Sequence, residues 1–274
     1  KQNTKKVFMK KVLLAITTFN QSEYTRACLE SLQSITDEHD VIVIDDASTD
    51  DTVDLCKKLN VKCIAKTNGQ GLTDSWNKAY HYFMAKKNEY EYLAIANNDI
   101  LIPNGALNEM KAVLEKWPCS LVVPMSTKLG SGHNRSQIID NWYGQNDYEN
   151  PEHYNKIQQY LLDLKQEEMK SNNLYKFDPI RMKMFNGFFF MMNKNICQYE
   201  RNDGHLFDPE FINVKNEDEF NWGNLIPNDD FAMLCKTAFI FHFKGVSFTK
   251  SGLKYSNNLK EHLKQREDKF NTTK

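Results

Sequence analysis

Residues 92–99 have the sequence Tyr-Leu-Ala-Ile-Ala-Asn-Asn-Asp, an apolar run that ends in three small polar residues. A short, continuous apolar run is typical of a strand that is buried on both faces of a parallel sheet. Polar residues at the carboxyl end of such a strand lie where open α/β sheets bind their ligands. Asp99, the last of the three, is suited to hold a divalent cation, which in turn can hold a phosphate.

Further apolar runs alternate with amphipathic stretches on both sides of this segment. The apolar runs are Lys11–Thr17, Val41–Ile44, Val61–Ala65, Tyr92–Ala96 and Ser120–Pro124. The amphipathic stretches cover residues 22–34, 49–58, 72–87 and 104–116. Strands that alternate with helices predict βαβ units, and therefore an α/β fold with a Rossmann-like, mostly parallel central sheet flanked by helices. No GxGxxG follows the first strand and no GxxxxGK[ST] occurs, which argues against a dinucleotide oxidoreductase and a P-loop enzyme.

The composition excludes several classes of protein. Lys and Arg (35) nearly balance Asp and Glu (36) in the 274 residues, so no global basic field points to nucleic acid as a partner. The six cysteines form no CxxC pair, and several lie in apolar runs, which indicates buried free thiols in a reducing compartment. No apolar run approaches the roughly 20 residues of a membrane span. We therefore expect a cytoplasmic protein.

The regular pattern ends at about residue 126. Residues 127–155 are polar and predict a long loop, and residues 152–171 predict a polar helix. Two later apolar blocks, Phe185–Met192 and Ala238–Phe243, predict strands. The tail from Leu253 has helical spacing. The second half is thus expected to contain an insertion, with Trp142 and Tyr143 as candidates for a lid, and to end in a helix.

Two polar motifs come directly after the first two predicted strands. Thr17-Thr18-Phe19-Asn20 follows the first, and residues 44–51, Ile-Asp-Asp-Ala-Ser-Thr-Asp-Asp, follow the second. In the latter motif, the simplest interpretation of Ser48, Thr49 and Asp50 is that they cap a helix. For Asp46 a functional role is favoured, because two adjacent acids at the end of an apolar strand repel each other.

Three further motifs each have an ordinary and a functional interpretation. Asn68–Gly71 is either a plain turn or a helix N-terminus that faces a phosphate. Glu217-Asp218-Glu219 is either an exposed acidic helix start or the source of a general base. His242, at the end of an apolar strand, is either structural or a partner of a metal or phosphate.

Taken in this order, the motifs resemble those of family 2 glycosyltransferases with the GT-A fold, in particular rhamnosyltransferase-like members. The resemblance is good over about residues 11–125 and looser over 180–250. It implies an inverting transferase with a role for each motif. The nucleotide contacts would be Thr17, Phe19, Asp46, Asn97 and Asn98, and the metal ligands Asp99 and His242. The catalytic base would be Asp218, and the acceptor contacts Asn186, Gly187, Glu217 and Trp222.

The first acid of the family's metal-binding motif is replaced by Asn97 in this chain. A single carboxylate, that of Asp99, then remains in the motif, so the affinity for Mn²⁺ or Mg²⁺ is expected to be lower. The oxygens of the donor's diphosphate would supply further ligands. Metal dependence is therefore expected, with weaker binding than a site with two acids would give.

The resemblance leads to a prediction for the whole chain. We expect one GT-A domain over residues 1–274, with a nucleotide-sugar-binding half (10–125), an acceptor and catalytic half (126–250) and a helical tail (251–274). It would transfer a sugar from a UDP- or dTDP-linked donor to a hydroxyl of a glycan or lipid-linked acceptor, in surface polysaccharide or glycan synthesis. Peripheral association with a membrane and a homodimer are both compatible with the sequence.

Two alternatives remain at this point. The first is a non-catalytic nucleotide- or sugar-binding module with the same fold. The second is a nucleotidyltransferase, which is less favoured because Thr17–Gln21 lacks a glycine-rich loop with Arg or Lys.

Overall fold

The structure is a computed structural model that describes residues 11–127, 137–144, 147–171, 174–182, 185–210 and 232–243. Its α-helices are α1 (Ser22–Gln33), α2 (Thr52–Lys58), α3 (Gly71–Ala85), α4 (Ala106–Lys116), α5 (Asp140–Tyr143) and α6 (Tyr154–Lys170). Its first five strands are β1 (Val12–Thr18), β2 (His39–Asp45), β3 (Lys62–Ala65), β4 (Tyr92–Asn97) and β5 (Ile100–Leu101). The remaining strands are β6 (Leu121–Met125), β7 (Ile180–Met182), β8 (Phe189–Asn193), β9 (Ala232–Phe239) and β10 (Phe241–His242). Short 3₁₀ helices lie at Pro151–His153, Leu174–Phe177 and Lys194–Tyr199.

Eight strands form one sheet in the order β3-β2-β1-β4-β8-β6-β9-β7. The strands from β3 to β4 run parallel, as do β6 and β9. β8 lies antiparallel between β4 and β6, and β7 lies antiparallel to β9 at the edge. β10 and β5 form a separate two-stranded ladder. The prediction of an α/β fold with a mostly parallel sheet is confirmed.

The register of β1 brings the polar ends of three strands together. Thr17 pairs with Asn97 of β4, and Thr18 pairs with Asp45 of β2. Since these strands are parallel, their carboxyl ends meet at one edge of the sheet. The motifs after β1, β2 and β4 therefore converge, as the sequence predicts.

Helices cover both faces of the sheet. On one face, Leu13 and Ala15 of β1 belong to the same core cluster as Trp76 and Phe83 of α3. On the other face, the alternate β1 residues Val12, Leu14 and Ile16 share a cluster with residues of α1, α2 and α4. All seven residues of β1 are buried. The near-continuous apolar sequence of this strand follows from its burial on both sides.

A bulge in β9 joins the insertion to the sheet. The pairing of β6 with β9 shifts from Pro124 opposite Cys235 to Met125 opposite Phe239, so the β9 residues in between have no partner on β6. Proline has no backbone N–H to donate to a ladder, which explains why the irregularity lies here. The buried Gln158 of α6 fills the gap: its side chain donates to the Thr237 carbonyl (2.8 Å) and accepts from the Phe239 N–H (2.8 Å).

The second half differs from the sequence prediction in several places. The loop predicted over residues 127–155 contains α5 and a 3₁₀ helix, and α5 packs against the bulge: the Tyr143 hydroxyl donates to the Lys236 carbonyl (2.9 Å). The strand predicted at Ala238–Phe243 is wrong, because β9 begins at Ala232 and ends at Phe239, and β10 is a separate strand. Trp142 lies 5.0 Å from the Lys236 ammonium, with that cation over its ring. The predicted C-terminal helix lies outside the described residues.

Two compositional predictions are testable on the described residues. All six cysteines are free, as expected, although Cys197 is exposed rather than buried. Among the described residues, no helix combines the length and apolar character that a membrane span requires.

Replacing Gln158 with alanine should destabilise the protein by about 1–3 kcal/mol, because the substitution leaves a buried carbonyl and a buried N–H without partners. The free energy of unfolding can be measured by urea denaturation followed by circular dichroism. Gln159→Ala is the matched control: this exposed neighbour bonds along α6 to Asp163 (2.8 Å), so a change within about 0.5 kcal/mol is expected. Equal losses for the two variants would refute the role of Gln158 in the bulge.

Candidate active site at the carboxyl edge of the sheet

The loop after β1 and the loop after β2 are held together by side-chain hydrogen bonds. Ser48 accepts from the Asn20 N–H (2.7 Å), and the Asn20 side chain accepts from the Thr49 N–H (2.8 Å). Asn20, Gln21 and Ala47 all have left-handed backbones, with φ values of 57°, 65° and 63°. Such conformations in residues other than glycine are uncommon and cluster at functional sites. Both loops therefore have a defined, partly strained shape.

A cavity of about 400 Å³ opens between these two loops. It is lined by Asn20, Gln21, Ser22, Glu23, Thr49 and Asp50. The lining is polar and includes two acids, and offers both hydrogen-bond donors and acceptors. Its place at the carboxyl edge of the sheet is the usual one for a ligand in this class of fold.

Two of the predicted nucleotide contacts use their side chains inside the protein. The buried Thr17 hydroxyl donates to the Ala96 carbonyl of the neighbouring strand (3.1 Å). The buried Asn98 amide donates to the hydroxyls of Thr18 (3.1 Å) and Thr25 (3.0 Å), so it fixes the loop after β1 onto α1. Phe19 and Asn97 are half-buried at the same edge. The roles of all four toward a nucleotide stay predictions.

Asp46 caps the N-terminus of α3. Its carboxylate accepts hydrogen bonds from the N–H groups of Gln70 (2.8 Å) and Gly71 (2.9 Å), and it forms an ion pair with Lys66. The Lys66 side chain is only 3% exposed and also contacts Asp74 (2.8 Å). These contacts supply a structural reason for the second of the two adjacent acids. A carboxylate has about four lone-pair positions, so one remains for a nucleoside.

Carboxylates also occupy the N-termini of three other helices. Asp50 accepts from the N–H groups of Ser22 and Thr52, which begin α1 and α2 (both 3.0 Å), and its predicted capping role is confirmed. Asp37 accepts from two N–H groups at the start of α4 (2.6 and 3.0 Å). Burial raises the pKa of Asp37, although both hydrogen bonds act in the opposite direction. Helix N-termini attract anions, and all four of these ends already hold one.

Asp99 and His242, the two predicted metal ligands, lie side by side. The Oδ1 atom of Asp99 is 3.3 Å from Nε2 of His242, and both side chains are largely buried. The short ladder between β5 and β10 makes this contact, since Ile100 pairs with His242 and the Phe243 N–H donates to the Asp99 carbonyl (2.9 Å). The imidazole also stacks on the ring of Phe188, with centroids 4.8 Å apart.

The pair could supply one oxygen and one nitrogen ligand to a divalent cation. Within the described residues, no group of three or more His, Cys, Asp or Glu side chains is placed to hold a metal ion. A divalent cation at Asp99 and His242 would therefore need further ligands beyond these two side chains.

The predicted acceptor residues are only partly described. The Asn186 N–H donates to the Gln137 side chain (2.6 Å), and the neighbouring Gly187 is buried. The Phe188 carbonyl accepts from the Asn97 N–H (2.9 Å), so this segment lies beside the polar end of β4. Glu217 and Trp222, together with the predicted base Asp218, lie outside the described residues.

Two charged side chains that hold these elements together were not predicted from the sequence. Lys66 directly follows the last residue of β3, and the signal used for the other loops, a charged residue at the end of an apolar strand, would have identified it. Asp37 precedes β2 and acts on α4, far along the chain. No local pattern identifies such a partner.

The sequence matches the model of glycosyl transferase family 2 over residues 14–199, which is more than half of the chain. Comparison with curated protein sequences gave no significant match.

Several solved structures share the fold. One is S. aureus TarS 1–349, with a TM-score of 0.53 and 17% identity over 85% of this chain and 60% of that one. Another is the mannosyltransferase PcManGT from Pyrobaculum calidifontis in complex with GDP-Man and Mn²⁺, with a TM-score of 0.52 and 15% identity over 84% and 56%. A third is GalNAc-T7 with UDP, GalNAc and Mn²⁺, with a TM-score of 0.57 and 13% identity over 85% and 44%. This chain thus spans 60% or less of the length of these three structures.

Replacing Asp46 with alanine should lower the free energy of unfolding by about 1–3 kcal/mol, because the start of α3 loses its cap and Lys66 loses a partner. Urea denaturation measures the loss. Glu30→Ala, at an exposed acid of α1, is the control, with an expected change within about 0.5 kcal/mol. If Asp46→Ala is as stable as this control, the cap does not contribute to stability.

Proposed function

The chain belongs to glycosyl transferase family 2, and on that basis we propose that it transfers a sugar from a UDP- or dTDP-linked donor to a hydroxyl of a glycan or lipid-linked acceptor, with inversion. Its fold is the GT-A fold that it shares with TarS, PcManGT and GalNAc-T7. The observation that carries the proposal is the contact between Asp99 and His242 at the carboxyl edge of the sheet. In the proposed reaction the nucleoside diphosphate leaves as a group with several negative charges, which must be neutralised at this edge.

The capped helix termini support this place for charge neutralisation. Asp37, Asp46 and Asp50 occupy the N-termini of α1 to α4, so an added phosphate at those ends would meet a carboxylate. At 4 Å, two like charges repel by about 1 kcal/mol in water and by several kcal/mol in a less polar site. The diphosphate is therefore expected near Asp99 and His242 rather than at a helix end.

We propose that Asp99 and His242 hold Mn²⁺ or Mg²⁺ together with the donor. A divalent cation bound there would supply Lewis acidity toward the leaving phosphate. Asp99 would bind through Oδ1 and His242 through Nε2, since these atoms face each other. Two of the solved structures of this fold contain Mn²⁺, which supports the proposal.

The cavity between the first two loops is the proposed site for the nucleoside. It adjoins Asn20, whose neighbour Phe19 is half-buried and offers a ring for the base. Asp46 lies on the loop after β2 and retains capacity for one more hydrogen bond beyond its two bonds to the start of α3 and its ion pair. Thr17, Asn97 and Asn98 would act mainly by shaping the backbone around the nucleotide.

The chemical step is proposed to use Asp218 as base. Its carboxylate would take the proton of the acceptor hydroxyl as that oxygen attacks the anomeric carbon and the bond to the diphosphate breaks. Attack from the face opposite the leaving group inverts the anomeric configuration. Asn186 and Gly187, with Glu217 and Trp222, would hold the acceptor in line, and such positioning can lower a barrier by about 7–11 kcal/mol. The family resemblance supports the roles of Asp218, Glu217 and Trp222.

Calorimetric titration with UDP, dTDP and GDP, each with and without Mn²⁺, tests the donor site. One nucleotide should bind with micromolar affinity, and Mn²⁺ should tighten its binding about tenfold or more, a change of about 1.4 kcal/mol. Asp99→Asn should remove the effect of Mn²⁺ and leave the metal-independent affinity unchanged. The exposed Asp163 provides the control variant Asp163→Asn, which should behave as the unmodified protein.

Each contrary result has a definite meaning. Binding that is tight without Mn²⁺ and insensitive to Asp99→Asn would refute the metal site and keep the nucleotide site. Failure of all three nucleotides to bind would refute the proposed function.

Asp218→Asn should reduce turnover by at least about 10²-fold, the lower range for loss of a general base, because an amide does not accept the proton. Donor affinity should stay the same, since the substitution changes no predicted nucleotide contact. Turnover can be followed by release of the nucleoside diphosphate in the presence of an acceptor. Turnover equal to that of Asp163→Asn would exclude Asp218 as the base.

A further inference from the structure

A second cavity, of about 280 Å³, lies in the insertion that connects β6 with β7. Its lining residues are Asp147, Tyr148, His153, Lys156, Ile157 and Tyr160. None of them was predicted as a site residue, and none belongs to the edge that holds Asp99 and His242. The cavity therefore needs a separate explanation.

The floor of this cavity is fixed to the rest of the domain. Ile157 and Tyr148 are buried, and they belong to the core cluster on the face of the sheet that α3 covers. One residue before Lys156, the Asn155 side chain accepts a hydrogen bond from the Asn104 N–H (3.3 Å). Asn104 follows β5, which begins directly after Asp99. The start of α6 is thus joined, through Asn104, to the segment that leaves the candidate active site at Asp99.

The walls combine an aromatic ring with polar and charged side chains. Tyr160 is 42% exposed, although most tyrosines of a globular protein are more buried. Nδ1 of His153 lies 3.3 Å from a carboxylate oxygen of Asp147, and Lys156 also lines the cavity. A ring face packs well against C–H groups, and adjacent carboxylate and ammonium groups provide an acceptor beside a donor.

These features select a class of ligand. A phosphate or sulfate would meet the carboxylate of Asp147, and a purely apolar chain would lie against the charged groups of Asp147 and Lys156 without bonding to them. A hydroxyl both donates and accepts, so neighbouring hydroxyls of a sugar satisfy Asp147 and Lys156 together. The volume is just below the usual range of about 300–1,000 Å³ for small-molecule sites, which suits one sugar ring and not a nucleotide.

We propose that this cavity is a saccharide-binding subsite, which holds a sugar unit of the acceptor glycan at a distance from the reacting hydroxyl. Assignment to the acceptor rests on the proposed function, whereas binding of a sugar does not. Tyr160 packs against one face of the ring, and Asp147 and Lys156 bond to its hydroxyls. Interactions of this kind, remote from the reacting atoms, help to position a substrate for reaction.

Saturation-transfer difference NMR on the full chain tests the subsite. The probes are the methyl glycosides of glucose, galactose, mannose, N-acetylglucosamine and rhamnose, with UDP present in excess to occupy the donor site. At least one glycoside should receive saturation from the protein. Tyr160→Ala should weaken that binding about fivefold, as expected when about 1 kcal/mol of aromatic packing is lost. Asp147→Asn, which keeps the shape, should weaken it as well.

Met169→Ala is the matched control, because Met169 is an exposed apolar residue of the same helix (54% exposed) and does not line the cavity. Its glycoside signals should equal those of the unmodified protein. The subsite is refuted if no glycoside receives saturation, if Tyr160→Ala behaves like Met169→Ala, or if inorganic phosphate displaces the glycoside. If glycosides bind through Tyr160 but the calorimetric titrations show no nucleotide binding, the saccharide site stands and the proposed function fails.

Discussion

The hydrogen bonds from helix N-termini to aspartates of other loops are the interaction on which the candidate active site depends. Asp46 caps α3, Asp50 caps α1 and α2, and Asp37 caps α4. Each bond satisfies a backbone N–H that has no partner within its own helix, and each places a negative charge at the positive end of the helix dipole. Because the caps of α1, α3 and α4 come from loops distant in sequence, they also fix the loops relative to one another. Backbone strain at Gln21 and Ala47 persists because the surrounding bonds hold it.

The same caps restrict where a diphosphate can bind. Many nucleotide-binding folds place a phosphate at a free helix N-terminus, but the ends of α1 to α4 carry carboxylates. Compensating positive charge must come from elsewhere, and Lys66 is not a source, because Asp46 and Asp74 already pair with it. The contact between Asp99 and His242 is then the place where a cation can enter, despite the loss of the first acid at Asn97. Burial and the charge of Asp99 both raise the pKa of the Cys28 thiol.

Local patterns in the sequence were sufficient to predict the first half of the fold and the position of the site. The apolar runs of β1, β2 and β4 are recognisable because both faces of these strands are buried, and a parallel sheet brings their carboxyl ends together. The partners of Asp46 were not predictable, because Lys66 and the start of α3 contact this residue only in the folded state. The insertion of β8 between β4 and β6, and the filling of the β9 bulge by Gln158, depend likewise on residues far apart in sequence. Pro124 marks the irregularity, but nothing in its neighbourhood identifies the side chain that fills it.

The position of His242 illustrates how little structure is needed to complete such a site. β10 has two residues, and its register against β5 decides which way the imidazole points. A shift by one residue would turn the side chain to the opposite face of the ladder and separate it from Asp99. Two contacts oppose that shift: the hydrogen bond from the Phe243 N–H to the Asp99 carbonyl, and the stacking of the imidazole on Phe188. The Thr127 hydroxyl adds a third, since it donates to the His242 carbonyl (3.0 Å). The geometry of the proposed metal site therefore depends on the backbone of the acid motif as much as on its side chains, because this backbone places His242 beside the single acid of the motif.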